Sequence, residues 1–225
     1  DTRAAARNLR EWTLKEPFST FAIWGAIIAF LTSMLAEFLI WSQIVSYWII
    51  NAGYDSATAT NLYITIGIAG IFTMPIMGIV ADRLVSRIGD EIKARKLMLV
   101  FAPSMGIVAC LFLFASARSM AMAVVACILF AIYWAIEPGG VAGYAGAVYG
   151  SKSMGKIWGL ATLIVMGIGP AVGSFMGGFL YDISGSYTNS VIFALCAYVA
   201  SALFALVLPR SAGAPEAAKE VVPTA

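Results

Sequence analysis

Apolar residues run through this chain in blocks of about twenty or more, and short polar stretches between them hold most of the charge. A helical run of that length matches the hydrocarbon thickness of a bilayer. The pattern predicts six transmembrane helices, over 18–50, 58–80, 97–117, 120–148, 157–181 and 191–208. Residues 1–17 are polar and basic and read as a cytoplasmic linker, the end of a central loop. Residues 210–225, rich in Ala, Pro and Glu, read as a disordered cytoplasmic tail.

Composition agrees with the pattern. Of 225 residues, 61% are hydrophobic and 12% charged, whereas soluble domains carry about twice that charged share. Mean hydropathy is +0.88. The expected class is an all-α, multi-pass membrane protein with the lipid bilayer as its first partner. Where the charges fall matters more than their sum. Arg3, Arg7, Arg10 and Lys15 precede the first span. Arg83, Arg87, Lys93, Arg95 and Lys96 follow the second, Lys152 and Lys156 the fourth, and Arg210 and Lys219 the sixth. The opposite side holds only Arg118. The positive-inside rule then puts both termini in the cytoplasm. Asn51–Ala57 and Ile183–Ser190 lie outside, with turn residues in Asn51-Ala-Gly53 and Ser184-Gly-Ser186. Trp12, Trp48 and Trp158 fall near interfaces and read as anchors.

Several chemistries are excluded or made remote. Histidine is absent, which removes His-based triads, haem ligation by His and the commonest zinc ligand. Cys110, Cys127 and Cys196 lie inside apolar spans and read as small core residues. No metal or cofactor is expected, and nucleic acid is not an expected partner. The chain opens without a leader pattern and without Met, so a fragment or a processed chain is expected.

Two carboxylates break the apolar pattern. Glu37 and Glu137 sit mid-span, and an ionised acid in hydrocarbon costs roughly 2.5–3.5 kcal/mol even on insertion scales. Ionising such a group away from water is unfavourable, which makes each a candidate proton carrier. At one turn's spacing Glu37 has Ser33 and Trp41 on its face. Glu137 has Tyr133, Trp134, Val141 and Tyr144, with Pro138-Gly139-Gly140 directly behind it. Either acid can instead be a buried hydrogen-bonding group, Glu137 satisfying backbone freed by a Pro-Gly break. The acids lie one hundred residues apart, an offset that also pairs Asp82 with Asp182 and Gly67-Ile68 with Gly167-Ile168. A repeat of that length holds three spans, so the second copy would be inverted in the membrane. Inverted three-helix repeats are a secondary-transporter architecture with the site near the midplane.

After the second span the chain reads Gly78-Ile-Val-Ala-Asp82-Arg83-Leu-Val-Ser-Arg87. A glycine one turn before an acid lets a helix approach closely, and the acid can then meet that helix's positive N-terminus; the plainer reading is an ordinary positive-inside loop. The fifth span carries Gly167-Ile-Gly169-Pro170-Ala-Val-Gly173-Ser-Phe-Met-Gly177-Gly178, then Tyr181-Asp182. Gly169, Gly173 and Gly177 line one face for close packing, and Pro170 removes a backbone donor and is expected to kink the helix. Such a helix suits a rocking element, or simple packing. These two strings resemble the major facilitator superfamily, the first its cytoplasmic loop signature in the C-terminal copy. The second resembles the penultimate helix of the monocarboxylate-transporter and oxalate/formate-antiporter branches.

The resemblance covers 12–209. It implies the C-terminal six-helix half of a secondary transporter, built as two inverted three-helix repeats, in a bacterial inner (plasma) membrane. Its partners would be an N-terminal six-helix half and a small-molecule substrate, organic acid-like by resemblance. Glu37, Glu137, Ser33, Trp41, Tyr133, Trp134 and Tyr144 would line the substrate and proton path. Gly78, Asp82, Arg83 and Arg87 would latch the cytoplasmic gate. One feature departs from the anion-exchanging branches: no Lys or Arg lies inside any span. The expected function is proton-coupled transport by alternating access. The alternative is a six-span scaffold or a homodimerising half-transporter without proton coupling. An enzyme is not expected: Tyr181-Asp182 resembles half of an intramembrane aspartyl protease signature, but the matching G-x-G-D is absent.

Overall fold

A computed structural model of the chain describes residues 10–211. The first part of the linker and nearly all of the tail, with Arg3, Arg7 and Lys219, lie outside the described residues. A single helical turn, Lys15–Phe18, leads into six long helices. We label these α1 (Phe21–Ile50), α2 (Ser56–Ile88), α3 (Glu91–Ala115), α4 (Met120–Tyr149), α5 (Met154–Ser184) and α6 (Thr188–Val207). Each is long and apolar enough to cross a membrane. No strand occurs among the described residues.

The helices overrun the apolar runs where local chemistry supports it. Asp55 caps α2 by accepting from the Thr58 N–H at 3.0 Å, and Asp90 caps α3 through Lys93 N–H at 3.0 Å. Gly89, with φ +67°, ends α2 in the left-handed region that glycine tolerates. Nothing between Val80 and Ile88 breaks a helix, so the Asp82-Arg83…Arg87 signature forms the last turns of α2 and is not a loop. Likewise α4 runs unbroken through Pro138-Gly139-Gly140. The Pro-Gly break expected behind Glu137 does not form, because one lost backbone bond is tolerated inside a packed bundle.

The helices pack in a definite pattern. The most extensive pairings are α3 with α4, α1 with α5, α1 with α6, α2 with α4, and α3 with α6. Thus α1 and α4 form the centre, α3 and α6 close the back, and α2 and α5 flank the front. These last two are the least buried. Their outward sides carry Ile68, Ile71, Phe72 and Ile79 on α2 and Leu163, Phe175 and Ile183 on α5. In lipid, helix association comes from close packing rather than a hydrophobic drive, and the glycine stripe of α5 provides it. A Cβ on Gly169 would lie 2.8 Å from Met34 Cβ, one on Gly173 2.5 Å from the Leu35 carbonyl oxygen, and one on Gly177 2.5 Å from Gln43 Cγ. α5 lies backbone to backbone on α1.

Polar contacts tie the two ends. At one, Lys96 Nζ donates to Leu208 O at 2.7 Å, and Tyr144 Oη donates to Pro209 O at 2.8 Å. At the other, Asn51 joins two connections: its Nδ2 donates to Ser186 Oγ at 2.8 Å, and its Oδ1 accepts from Tyr187 N at 3.2 Å. Among the described residues every Lys and Arg except Arg118 lies at the first end.

Three expectations about side chains need correcting. Trp48 is fully buried in the core and anchors nothing at an interface. Trp12 is buried too: its Nε1 donates to Tyr149 O at 2.8 Å and its backbone N–H to Ser153 Oγ at 2.9 Å, docking the linker on the α4–α5 connection. Cys196 is exposed on α6, while Cys110 and Cys127 are buried. Helical spacing alone does not say which side of an all-apolar helix faces inward.

Candidate functional site

The two mid-span acids come together where α1 crosses α4. Glu37 is 6% exposed and Glu137 1%, and Tyr133, one turn before Glu137, reaches Glu37 across the helix pair. Tyr133 of α4 sits between the helices. Its hydroxyl lies 2.7 Å from Ser33 Oγ, 3.0 Å from Glu37 Oε2 and 3.3 Å from Ser33 O. A phenol has one proton to give, so the arrangement that satisfies both side-chain contacts has Ser33 donating to Tyr133 and Tyr133 donating to Glu37. Tyr198 of α6 closes the back. Its ring packs edge-on to Tyr133 with centroids 4.9 Å apart, over Gly106, where an added Cβ would come within 2.9 Å of the ring.

Two buried oxygens of this cluster, Glu137 Oε2 and Tyr198 Oη, have no hydrogen-bond partner. A buried polar atom left unpaired costs about 1–3 kcal/mol. Glu137, 1% exposed, borders neither of the two cavities that Glu37 lines on the front of the bundle. One, about 330 Å³, is walled by Phe30, Met34, Trp134, Pro138, Trp158 and Thr162. The other, about 420 Å³, is walled by Trp41, Ser42, Tyr63, Trp134 and Ser174. Phe38 and Trp134 belong to both. Trp41 stands at the corner of an aromatic wall, its centroid 5.2 Å from Trp134 and 5.7 Å from Tyr63, with inclined planes. Gly70 of α2 makes room for the Trp134 ring, since a Cβ there would lie 2.9 Å from it.

The expected path residues therefore divide. Glu37, Trp41 and Trp134 face cavities. Ser33, Tyr133 and Glu137 form the sealed cluster behind them. Tyr144 joins neither: it is fully buried toward the basic end and bonds to Pro209. Tyr63, Phe38, Thr162 and Tyr198 belong to the site although the spacing argument missed them. Three of these lie on α2, α5 and α6, and residues on neighbouring helices leave no signal in the spacing of α1 or α4.

At the basic end, Gly78, Asp82 and Arg95 line a smaller pocket of about 180 Å³ with Met77, Met98 and Gly140. Arg95 Nη2 is 3.7 Å from Asp82 Oδ1, whose side chain is 79% exposed. Such a pair contributes little to stability. Gly78 makes no close helix contact among the described residues: an added Cβ would meet nothing within 4 Å. Arg83 and Arg87 are exposed. Asp182 is exposed near the end of α5, away from the membrane centre. Among the described residues no three His, Cys, Asp or Glu side chains converge as they would to hold a metal. No protein-family model matches the chain, and a search of curated proteins finds no match to it.

Proposed function

We propose that this chain is the C-terminal six-helix half of a proton-coupled secondary transporter, moving a small metabolite by alternating access. The observation that carries the reading is Glu37, a membrane-buried acid on the floor of open cavities and hydrogen-bonded through Tyr133 to the helix bearing a second buried acid. Intramembrane acids facing a cavity mark ion and proton pathways. Sequence and packing also favour two inverted repeats. Exchanging α1, α2 and α3 with α4, α5 and α6 carries each extensive helix pairing onto another or onto itself. Ser33 and Tyr133, which touch, are related by the same offset as the two acids. Residues on a pseudo-two-fold axis meet their own counterparts in this way.

The mechanism follows from the surroundings of the acids. Glu37 takes and releases the coupled proton on the cavity side, and Tyr133 holds its carboxyl in place. Glu137, almost fully buried behind Tyr133, adds a second acid to the same cluster. The missing N-terminal half covers the apolar fronts of α2 and α5, and the Asp82–Arg87 turns meet it at the basic, cytoplasmic end. The two halves then rock around the cavities between them.

The test uses vesicles containing the full-length protein, a lumenal pH dye and a panel of small metabolites. At least one compound should move protons with the unaltered protein, and Glu37→Gln should reduce that movement by about a hundredfold or more, as expected for loss of an essential proton carrier. Proton movement by Glu37→Gln and Glu137→Gln at the unaltered rate would sink the reading.

A further inference from the structure

We infer that the cavity at Glu37 takes a small organic cation, such as an ammonium-bearing metabolite, and that Trp41, Trp134 and Tyr63 form its aromatic wall. The inference rests on reading that cavity as the substrate site, and it narrows the substrate class. An organic acid, the class the resemblance implies, needs a fixed cation or a cluster of donors. No Lys or Arg borders either cavity, and the charged group that does is a carboxylate. An anion entering beside Glu37 would meet like charge in a low dielectric.

A cation meets the opposite situation. The faces of Trp and Tyr carry negative quadrupole density, and inclined aromatic rings around one space are the recognised arrangement for binding ammonium groups. Trp41, Tyr63 and Trp134 have this arrangement, with Trp41 standing at 62° to Trp134 and 85° to Tyr63. All three are partly buried, and all border the 420 Å³ cavity that Glu37 also borders. Ser42 and Ser174 add hydroxyls on its rim for polar groups of the ligand. The volume lies within the range of small-molecule sites. A bound cation also supplies the counter-charge that an ionised Glu37 lacks in this half.

The test is equilibrium binding of radiolabelled choline to the full-length protein in lipid nanodiscs. Competition with 3,3-dimethylbutan-1-ol, its neutral isostere, and with acetate needs no variant and is indifferent to folding defects. Choline should bind saturably, the isostere about tenfold more weakly, and acetate should not compete. Trp41→Leu, which keeps an apolar wall without the ring, should weaken choline about tenfold. Equal competition by the isostere, displacement by acetate, or absence of saturable binding overturns the inference. Cation binding without proton movement in vesicles leaves this inference standing and removes the transport reading. Proton movement driven by acetate, with no cation binding, does the reverse.

Discussion

Glu37 and Glu137 occupy matching positions one hundred residues apart, yet their surroundings are opposite. Glu37 borders two cavities and accepts a hydrogen bond from Tyr133 at 3.0 Å. Glu137 borders neither of these cavities, and its Oε2 is unpartnered. The helices that carry them are also seated differently. α1 rests on the glycine stripe of α5 through its own backbone, at Leu35 O. α4 meets its neighbours near Glu137 through side chains, with Leu99 over Gly140 at 3.3 Å from a would-be Cβ. Two acids at an offset of one hundred residues therefore have two different settings. Glu37 borders cavities on a helix packed through its backbone; Glu137 is almost fully buried on a helix packed there through side chains.

The strongest way to break this comparison is to disturb the two seats. Gly173→Ala puts a methyl 2.5 Å from a backbone carbonyl that has no rotamer by which to escape. We expect a loss of about 3 kcal/mol, the upper range for overpacking, read as denaturant unfolding in micelles. Gly140→Ala comes close only to the end of the Leu99 side chain, at 3.3 Å, with Ile136 Cγ2 at an ordinary 3.6 Å. There the gain in helix propensity, about 1 kcal/mol, should offset the contact. Equal losses at the two sites would mean that α1 and α4 are held alike.

The acids themselves give effects of opposite sign. Replacing Glu137 by Leu removes an oxygen that no donor satisfies, so stability should rise by about 1–2 kcal/mol. Glu37→Leu takes away the acceptor of the Tyr133 hydroxyl, and stability should fall by about 1 kcal/mol. Thermal unfolding of both variants decides the matter. A loss at Glu137 as large as that at Glu37 would show that the second acid has a partner of equal worth. A gain at Glu137 would mean that the residue is kept at a cost to folding, as functional groups often are.

Much of this was legible in the chain, and the boundary of legibility has physical causes. Six helices follow from the apolar runs, and the stripe Gly169, Gly173, Gly177 announces a close contact because spacing of four keeps residues on one helix face. Ser33 and Glu37 share a face of α1 for the same reason. What lies across from a face is not written in its spacing. Tyr63 and Tyr198 reach the site from α2 and α6, and the sequence of α1 holds no trace of them. Tyr144 shares the face of Glu137 by periodicity, but nearly two turns of α4 carry it to Pro209. Trp48 fails as an anchor because an all-apolar helix has no amphipathic signal to say which side is buried.

The smallest expected effect concerns an acid in water, which sharpens the contrast by showing what full satisfaction looks like. Asp55 is exposed at the start of α2, where its carboxylate accepts from the Thr58 hydroxyl at 2.6 Å and the Thr58 N–H at 3.0 Å. Those bonds, the hydroxyl's first, hold its carboxyl below the usual range. The folded value lies below the unfolded one of about 3.9, so the stabilisation is fully present above that pH. It is lost as pH falls through the lowered folded value. Acidification from neutrality should therefore leave the first turn of α2 intact until below about pH 4, and then speed amide exchange at Thr58 and Ala59. Asp55→Asn keeps an N-cap acceptor and should show protection that no longer depends on pH, whereas Asp55→Ala should lose protection at every pH. If Asp55→Ala exchanges as slowly as the unaltered protein, the cap contributes nothing and tertiary contacts alone hold that turn. An acid with both bonds made in solvent thus tunes one turn of one helix, while Glu37 has one side-chain bond, to Tyr133, beside two cavities.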